Sequence, residues 1–227
     1  MLAHLVNILF PKVCCGCKTF LLSNEKVICT ACRHEMPLTG FYSYPDNEAH
    51  KKFYGRILVD HVSAFLYYHK KGIVQQLIHA LKYRGHEEIG TVLGEWYAVH
   101  LLELEWVARV DYIIPVPLHR KKLRKRGYNQ VTTFSKALSD KLKIPLLENL
   151  LVRKIDSETQ SRKSFLKRTE INEAFFDAHF DQSLHNRHFL LVDDVLTTGA
   201  TLEACGRKLL RIPGAQLSIV TIAFSHS

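Results

Sequence analysis

The decapeptide Val192-Asp-Asp-Val-Leu-Thr-Thr-Gly-Ala-Thr201 sets two carboxylates directly before a turn of hydroxyls and glycine. Thr197, Thr198, Gly199, Ala200 and Thr201 fall where a helix begins. Helix N-termini present unpaired N–H groups and the positive end of a dipole, and both favour phosphate. Gly199 lets a phosphate approach the backbone. Asp193 and Asp194 suit ribose hydroxyls, directly or through Mg²⁺, and stand too close together for either to avoid the ligand. The order of groups fits a 5-phosphoribosyl unit. No Gly-Lys-Ser/Thr completes a Walker A loop, and no Gly-x-Gly-x-x-Gly turn is present for a dinucleotide. Helix capping alone calls for one Asp or Thr, not for paired acids with three threonines.

A second constellation lies near the other end of the chain. Cys14-Cys15-Gly16-Cys17 and Cys29-Thr30-Ala31-Cys32 are two C-x-x-C knuckles. Four thiolates in this pattern suit a tetrahedral structural Zn²⁺ held by Cys14, Cys17, Cys29 and Cys32, although the gap is shorter than usual for a four-cysteine site. Cys15 is then a bystander and His34 a substitute ligand. Disulfides are the competing reading, but a cytosolic chain keeps such thiols reduced. Thioredoxin-like redox chemistry lacks its strand-then-helix frame here. Cys205 sits on the apolar side of the last helix and reads as core packing.

Positioning these groups takes a sheet. His188 to Val192, Val62 to Tyr68, Asp111 to Pro117 and Leu217 to Phe224 are short apolar runs of the kind buried strands need. Ile73 to Leu81, Ile89 to Leu102 and about Asn129 to Leu142 have helical spacing. So do Leu202, Cys205, Leu209 and Ile212, until Pro213-Gly214 stops the helix. This alternation predicts an α/β fold, a parallel sheet with helices on both faces, whose ligands bind at the carboxyl ends of the strands. The Asp193 loop and the Pro115-Val116-Pro117 turn both belong at that end. Gly40 to Gly55, rich in Pro, Gly, Tyr and charge, reads as a linker. The expected division is therefore 1–55, an amino-terminal helix with the cysteine module and linker, and 56–227, the α/β domain.

At 227 residues, 47% hydrophobic and 23% charged, the chain suits one such domain plus a small appendage. Leu2 to Phe10 is too short to cross a bilayer and has no basic flank or cleavage site, so no membrane span or leader is expected and the location reads as cytoplasmic. Leu2, Leu5, Val6 and Leu9 share one helical face, as in a short docking helix. The net charge of +9 is concentrated. His119 to Arg126 is almost all Lys and Arg, and Arg153 to Arg168 is a second basic stretch; both frame the strand ends. Such a field attracts pyrophosphate, and Arg clamps phosphate oxygens bidentately. It also attracts single-stranded nucleic acid, with Tyr128, Phe134 and Phe165 as stacking faces. A solvated surface is the plain reading for any single Lys there.

The decapeptide resembles the phosphoribosyl pyrophosphate (PRPP) loop of type I phosphoribosyltransferases. In those enzymes the acidic pair holds the ribose hydroxyls and the Thr-Thr-Gly-Ala-Thr turn binds the 5-phosphate. A narrower resemblance covers nearly the whole chain. Arg126-Gly-Tyr-Asn-Gln130 after Ile114-Pro-Val-Pro117 is similar to the ComF family. The same family order holds for the Phe-Pro segment before the double C-x-x-C, for Leu81-Lys-Tyr-Arg-Gly85, and for Gln160, Leu166, Arg168, Asn172 and Phe175. The resemblance implies a type I phosphoribosyltransferase fold behind a zinc-binding module, in a cytoplasmic protein associated with bringing single-stranded DNA inward during transformation. It supplies no reaction.

Two functions follow as expectations. One is a binding module for PRPP or a nucleotide whose basic surface serves single-stranded DNA or a DNA-translocating partner. The other is a Mg²⁺-dependent phosphoribosyltransferase with an unassigned acceptor, in which Val116, Arg120, Arg124, Arg126, Asn129 and Gln130 are the candidates for pyrophosphate or DNA, Val116 and Leu118 through their amides. Thr197 stands where hypoxanthine-type enzymes carry an Asp base, and it cannot act as one at neutral pH. With Ser227 soon after the last strand, an acceptor pocket is expected from earlier segments such as the cysteine module and Phe53 to Tyr68.

Overall fold

The computed structural model describes residues 11–154 and 175–226. In chain order the strands are β1 (His61–Tyr67), β2 (Tyr112–Pro115), β3 (Leu151–Arg153), β4 (Phe176–Ala178), β5 (His188–Leu196) and β6 (Gln216–Phe224). The first, second, fifth and sixth form one parallel sheet in the order β1-β6-β5-β2, while β3 and β4 pair antiparallel as a separate ribbon. The helices are α1 (Thr30–His34), α2 (Glu48–Lys51), α3 (Ile73–Tyr83), α4 (Glu88–Leu101), α5 (Glu105–Ala108), α6 (Arg120–Arg126), α7 (Gln130–Leu142) and α8 (Ala200–Leu209).

Successive residues of a strand face opposite sides, and β5 and β6 divide their apolar residues accordingly. Leu190, Val192, Val220 and Ile222 pack with Leu77, Leu81, Leu93, Tyr97, Phe134 and Leu138 from α3, α4 and α7. Phe189, Leu191 and Ile219 pack on the other face with Leu202, Cys205 and Leu209 from α8. Cys205 is fully buried there, as a core residue. Helices α4 and α7 touch closely because Gly94 has no side chain: a Cβ there would lie 2.7 Å from the Ala137 Cβ and the Phe134 carbonyl oxygen.

The segment 40–55, expected as a linker, is folded against the sheet. Phe41, Ala49 and Phe53 are buried in the same core as α8. Asn47 caps α2 by accepting from the His50 N–H at 3.0 Å, and its amide donates to the Phe41, Tyr44 and Val62 carbonyls at 3.2, 3.0 and 2.8 Å. The buried residues follow no period of two or 3.6 because short helical turns and bends alternate, so pattern reading finds nothing there. Both borders of the sheet are also lined by extended chain. Thr39 N–H donates to the Phe65 carbonyl at 3.1 Å and Tyr67 N–H to the Pro37 carbonyl at 2.8 Å, beside β1. Ile113 N–H donates to the Pro145 carbonyl and Leu147 N–H to the Ile113 carbonyl, both at 2.9 Å, beside β2. The docking helix expected at Leu2 to Leu9 lies outside the described residues.

Candidate phosphate-loop site and cysteine cluster

Strand β5 runs on through the acidic pair to Leu196, with Asp193 opposite Thr221 and Leu196 opposite Phe224 of β6. The two carboxylates consequently point to different sides. Asp194 is nearly buried at 6% exposure. It accepts from the Lys82 ammonium of α3 at 2.8 Å and from the Gln130 amide of α7 at 2.6 Å. Asp193 accepts its neighbour's backbone N–H at 2.8 Å and lies on the side of Cys205 and Arg153. Burial, and then the charge of Asp194, pushes the Asp193 carboxyl up to about 7. Burial and the Asp193 charge raise the Cys205 thiol as well.

The loop after β5 ends at Gly199, whose φ of 77° is left-handed and which precedes the first residue of α8. A Cβ there would also meet the Phe53 ring at 3.1 Å. Thr197, Thr198 and Thr201 are exposed beside this helix start. Arg56 braces the loop from the segment 40–56. Its Nη1 donates to the Thr198 carbonyl at 2.7 Å and its Nε to the Glu203 carboxylate at 2.8 Å. Glu203, 3% exposed, also accepts from Arg207 Nη2 at 2.9 Å. An acid in the first turn of α8 would repel phosphate if bare, and these two guanidinium groups neutralise it.

The basic and polar candidates separate on inspection of their partners. Arg126 donates to the Gln130 side-chain oxygen and lies 4.9 Å from the Tyr83 ring centroid, so Arg126, Gln130 and Asp194 form one chain of hydrogen bonds. Asn129 donates to the Val116 carbonyl at 3.0 Å and caps α7. The Val116 N–H donates to the Val192 carbonyl at 2.8 Å, so the amide expected to meet pyrophosphate belongs to the sheet. Arg120 and Arg124 are exposed on α6, a helix with no buried residue. A cleft of about 500 Å³ opens beside them, lined among others by Pro115, Arg120, Asn129, Asn149 and Arg153. Of the expected stacking faces, Phe134 is fully buried and Tyr128 is half-buried, donating its hydroxyl to the Leu81 carbonyl. Phe165 and residues 155–168 of the second basic stretch lie outside the described residues.

Cys14, Cys17, Cys29 and Cys32 bring four sulfurs within 4.8 Å of one another, with the Cys17 and Cys29 sulfurs 3.6 Å apart. Sulfurs bound to one tetrahedral Zn²⁺ at about 2.3 Å stand about 3.8 Å apart, so the donor set fits the ion. Backbone N–H groups of Gly16 and Cys29 point at the Cys14 sulfur at 3.4 and 3.3 Å, and that of Cys32 at the Cys29 sulfur at 3.4 Å. Such donors favour thiolates. Hydrogen bonding with Thr19 lowers the Cys17 thiol to about 6, while burial raises Cys32.

Sequence reading did not single out Lys82 or Arg56, whereas Arg153 opens the second basic stretch that it placed at the strand ends. The Leu81-Lys-Tyr-Arg-Gly85 resemblance flagged the neighbourhood of Lys82. The buried Glu203 at a phosphate-type helix start was the one signal that a cation had to be nearby.

The profile described as Phosphoribosyl transferase domain matches residues 132–227, from the first turn of α7 through the loop after β5 and through β6. Competence protein F of Haemophilus influenzae is 41% identical over 107 residues, 47% of this chain and 46% of that protein. Competence protein ComFC of Bacillus subtilis is 33% identical over 100 residues, 43% of this chain and 38% of that one. Over these stretches the chain is similar to competence proteins. DNA utilization protein YhgH of Escherichia coli O157:H7 is 30% identical over 147 residues, 63% of each chain. The aligned stretches thus span less than two thirds of the length of these relatives. Among solved structures, adenine phosphoribosyltransferase from Leishmania tarentolae is similar at 14% identity over 63% of this chain and 73% of that one, with a TM-score of 0.38. A type I phosphoribosyltransferase domain is thus preceded in this chain by a four-cysteine cluster that suits structural zinc. Among the described residues no helix is long and apolar enough to cross a membrane.

Proposed function

We propose that this ComF-type chain binds PRPP or a related ribose phosphate at residues 193–201 and serves the handling of single-stranded DNA during natural transformation, in the cytoplasm. The observation that carries the reading is the convergence at Asp194. Lys82 and Gln130, from two separate segments of family resemblance, hold that carboxylate beside a left-handed glycine at a helix N-terminus. In this reading the loop amides and the hydroxyls of Thr197, Thr198 and Thr201 take the 5-phosphate. Asp193 takes the ribose hydroxyls, and Asp194 fixes the strand end by fastening α3 and α7 to it. Mg²⁺ bound with the pyrophosphate supplies charge neutralisation. Cys14, Cys17, Cys29 and Cys32 hold Zn²⁺ as a structural ion, so metal analysis should find it and a strong chelator should loosen the module.

The test is thermal unfolding with PRPP and Mg²⁺. Ligand at 100 times Kd adds about 2.7 kcal/mol, a rise of roughly 5–10 °C for a chain of this size. Asp193→Asn should remove most of the rise, and an unchanged rise in that variant means that PRPP sits elsewhere. The cleft of about 500 Å³ beside Asn129 and Arg153 favours a second reading, catalysis with an acceptor seated there. Release of pyrophosphate from PRPP only when a nucleobase or DNA is added decides for it.

A further inference from the structure

We propose that Cys15, His86 and Glu88 form a second, separate site for one thiophilic divalent cation, Zn²⁺ by preference. A sulfur, a ring nitrogen and a carboxylate oxygen of these three residues all lie within 4.8 Å of one another. The His86 Nδ1 and Glu88 Oε1 atoms already face each other at 2.8 Å. Ligand atoms sharing a tetrahedral ion at about 2.0–2.3 Å stand about 3.3–3.8 Å apart, so modest side-chain rotations close the set. Cys15 is 4% exposed and takes no part in the neighbouring four-cysteine cluster. Its backbone is fixed in place, the N–H donating to the Val27 carbonyl at 2.9 Å and the carbonyl accepting from the Lys18 ammonium at 2.9 Å.

The donor set decides the class of ion. A thiolate with an imidazole and a carboxylate suits zinc and its neighbours, whereas Mg²⁺ and Ca²⁺ require oxygen ligands. Three protein ligands leave a fourth position for water, as in open zinc sites. The placement decides what the ion does. Cys15 lies in the first cysteine knuckle, while His86 and Glu88 flank the start of α4, just after the end of α3. The ion therefore fastens the cysteine module to the connection between the helix that carries Lys82 and the helix that packs on α7. The ordinary alternative is a surface ion pair between His86 and Glu88 beside a buried apolar thiol, and that alternative binds no metal.

Cobalt titration of the full chain, purified without chelator and first loaded with one equivalent of Zn²⁺, separates the two. The expected result is one further equivalent of Co²⁺ bound at micromolar concentration, with the charge-transfer absorbance of a single thiolate. His86→Gln changes a half-exposed side chain and leaves the fold intact; it should weaken that equivalent more than about tenfold, since even the partners of metal ligands are worth that much. Cys15→Ser should remove the thiolate band, and both variants should keep the first zinc. Should the four-cysteine cluster prove unable to hold metal, the one-thiolate spectrum appears by itself when Co²⁺ is added to chain that has not been loaded with Zn²⁺. Failure of the wild type to bind the second equivalent, or binding unchanged in both variants, overturns the proposal.

Discussion

Replacing Lys82 by Met tests the convergence at Asp194 most directly. Asp194 is 6% exposed, and its two side-chain partners are the Lys82 ammonium at 2.8 Å and the Gln130 amide at 2.6 Å. Removing one partner of a buried ion pair costs about 3–5 kcal/mol, because the remaining charge is left without compensation. Here the Lys82 side chain keeps 21% exposure and Gln130 still donates, so the cost falls below that range, to about 2–3 kcal/mol. At 2–4 °C per kcal/mol for a chain of this length, Tm should fall by about 4–12 °C. Asp194→Asn alone should cost less, about 1 kcal/mol, because the freed ammonium can turn to solvent. The double variant should recover about 1–3 kcal/mol relative to the sum of the single changes. The assay is a double-mutant cycle in urea with Tm as a second readout. Additivity within about 0.5 kcal/mol would refute the pairing argument, as would a Lys82→Met protein that melts with the wild type.

Gly199→Ala should lower stability by about 1–3 kcal/mol, the cost of a left-handed alanine plus displacement of the Phe53 ring, and should diminish the PRPP-dependent rise in Tm; an unaffected melt would show that the loop adopts another conformation. Because the folded carboxyl of Asp193 is raised, it holds its proton more tightly than the unfolded chain does, so its contribution to stability is full below about pH 4 and is lost as pH rises through about 7. Asp193→Asn should therefore gain in Tm over wild type as pH goes from 5 to 8, whereas a constant difference would deny the shift. In the wild type, PRPP binding with Mg²⁺ should tighten over the same interval, because the carboxylate is the binding form. Replacing the exposed Arg120 and Arg124 by Ala should reduce the salt dependence of single-stranded DNA binding by about 1.4 in log–log slope, and an unaltered slope assigns α6 to plain solvated surface.

The strands were legible because continuous apolar runs such as Phe189 to Val192 have few other uses, and the helix start after β5 was legible because Gly199 stands just ahead of apolar residues at helical spacing. Strand β5 exceeds its expected length because the backbone keeps pairing with β6 regardless of the charges at Asp193 and Asp194. Chemistry read from residue type alone was less secure. Val116 carries a backbone donor in the right neighbourhood, yet the sheet takes that donor, and only strand register reveals it. Arg126 reads as one more cation in a basic run, and its bond to Gln130 depends on Gly127 turning the chain between α6 and α7. Arg56 comes from 142 residues before the carbonyl it braces, a separation for which local pattern has no signal.

The short pieces of chain beside β1 and β2 bear on how this protein meets others. A bare border strand offers a row of amide and carbonyl groups to any extended peptide, and such borders seed aggregates and strand-swapped pairs. Pro37 to Thr39 occupies part of that row on one side, and Pro145 to Leu147 occupies part of it on the other. At Phe65 to Tyr67 of β1 and at Ile113 of β2 these pieces take backbone groups that an added strand would need. Detaching the residues around Leu38 would free the Phe65 carbonyl and the Tyr67 N–H of β1 for pairing with another chain.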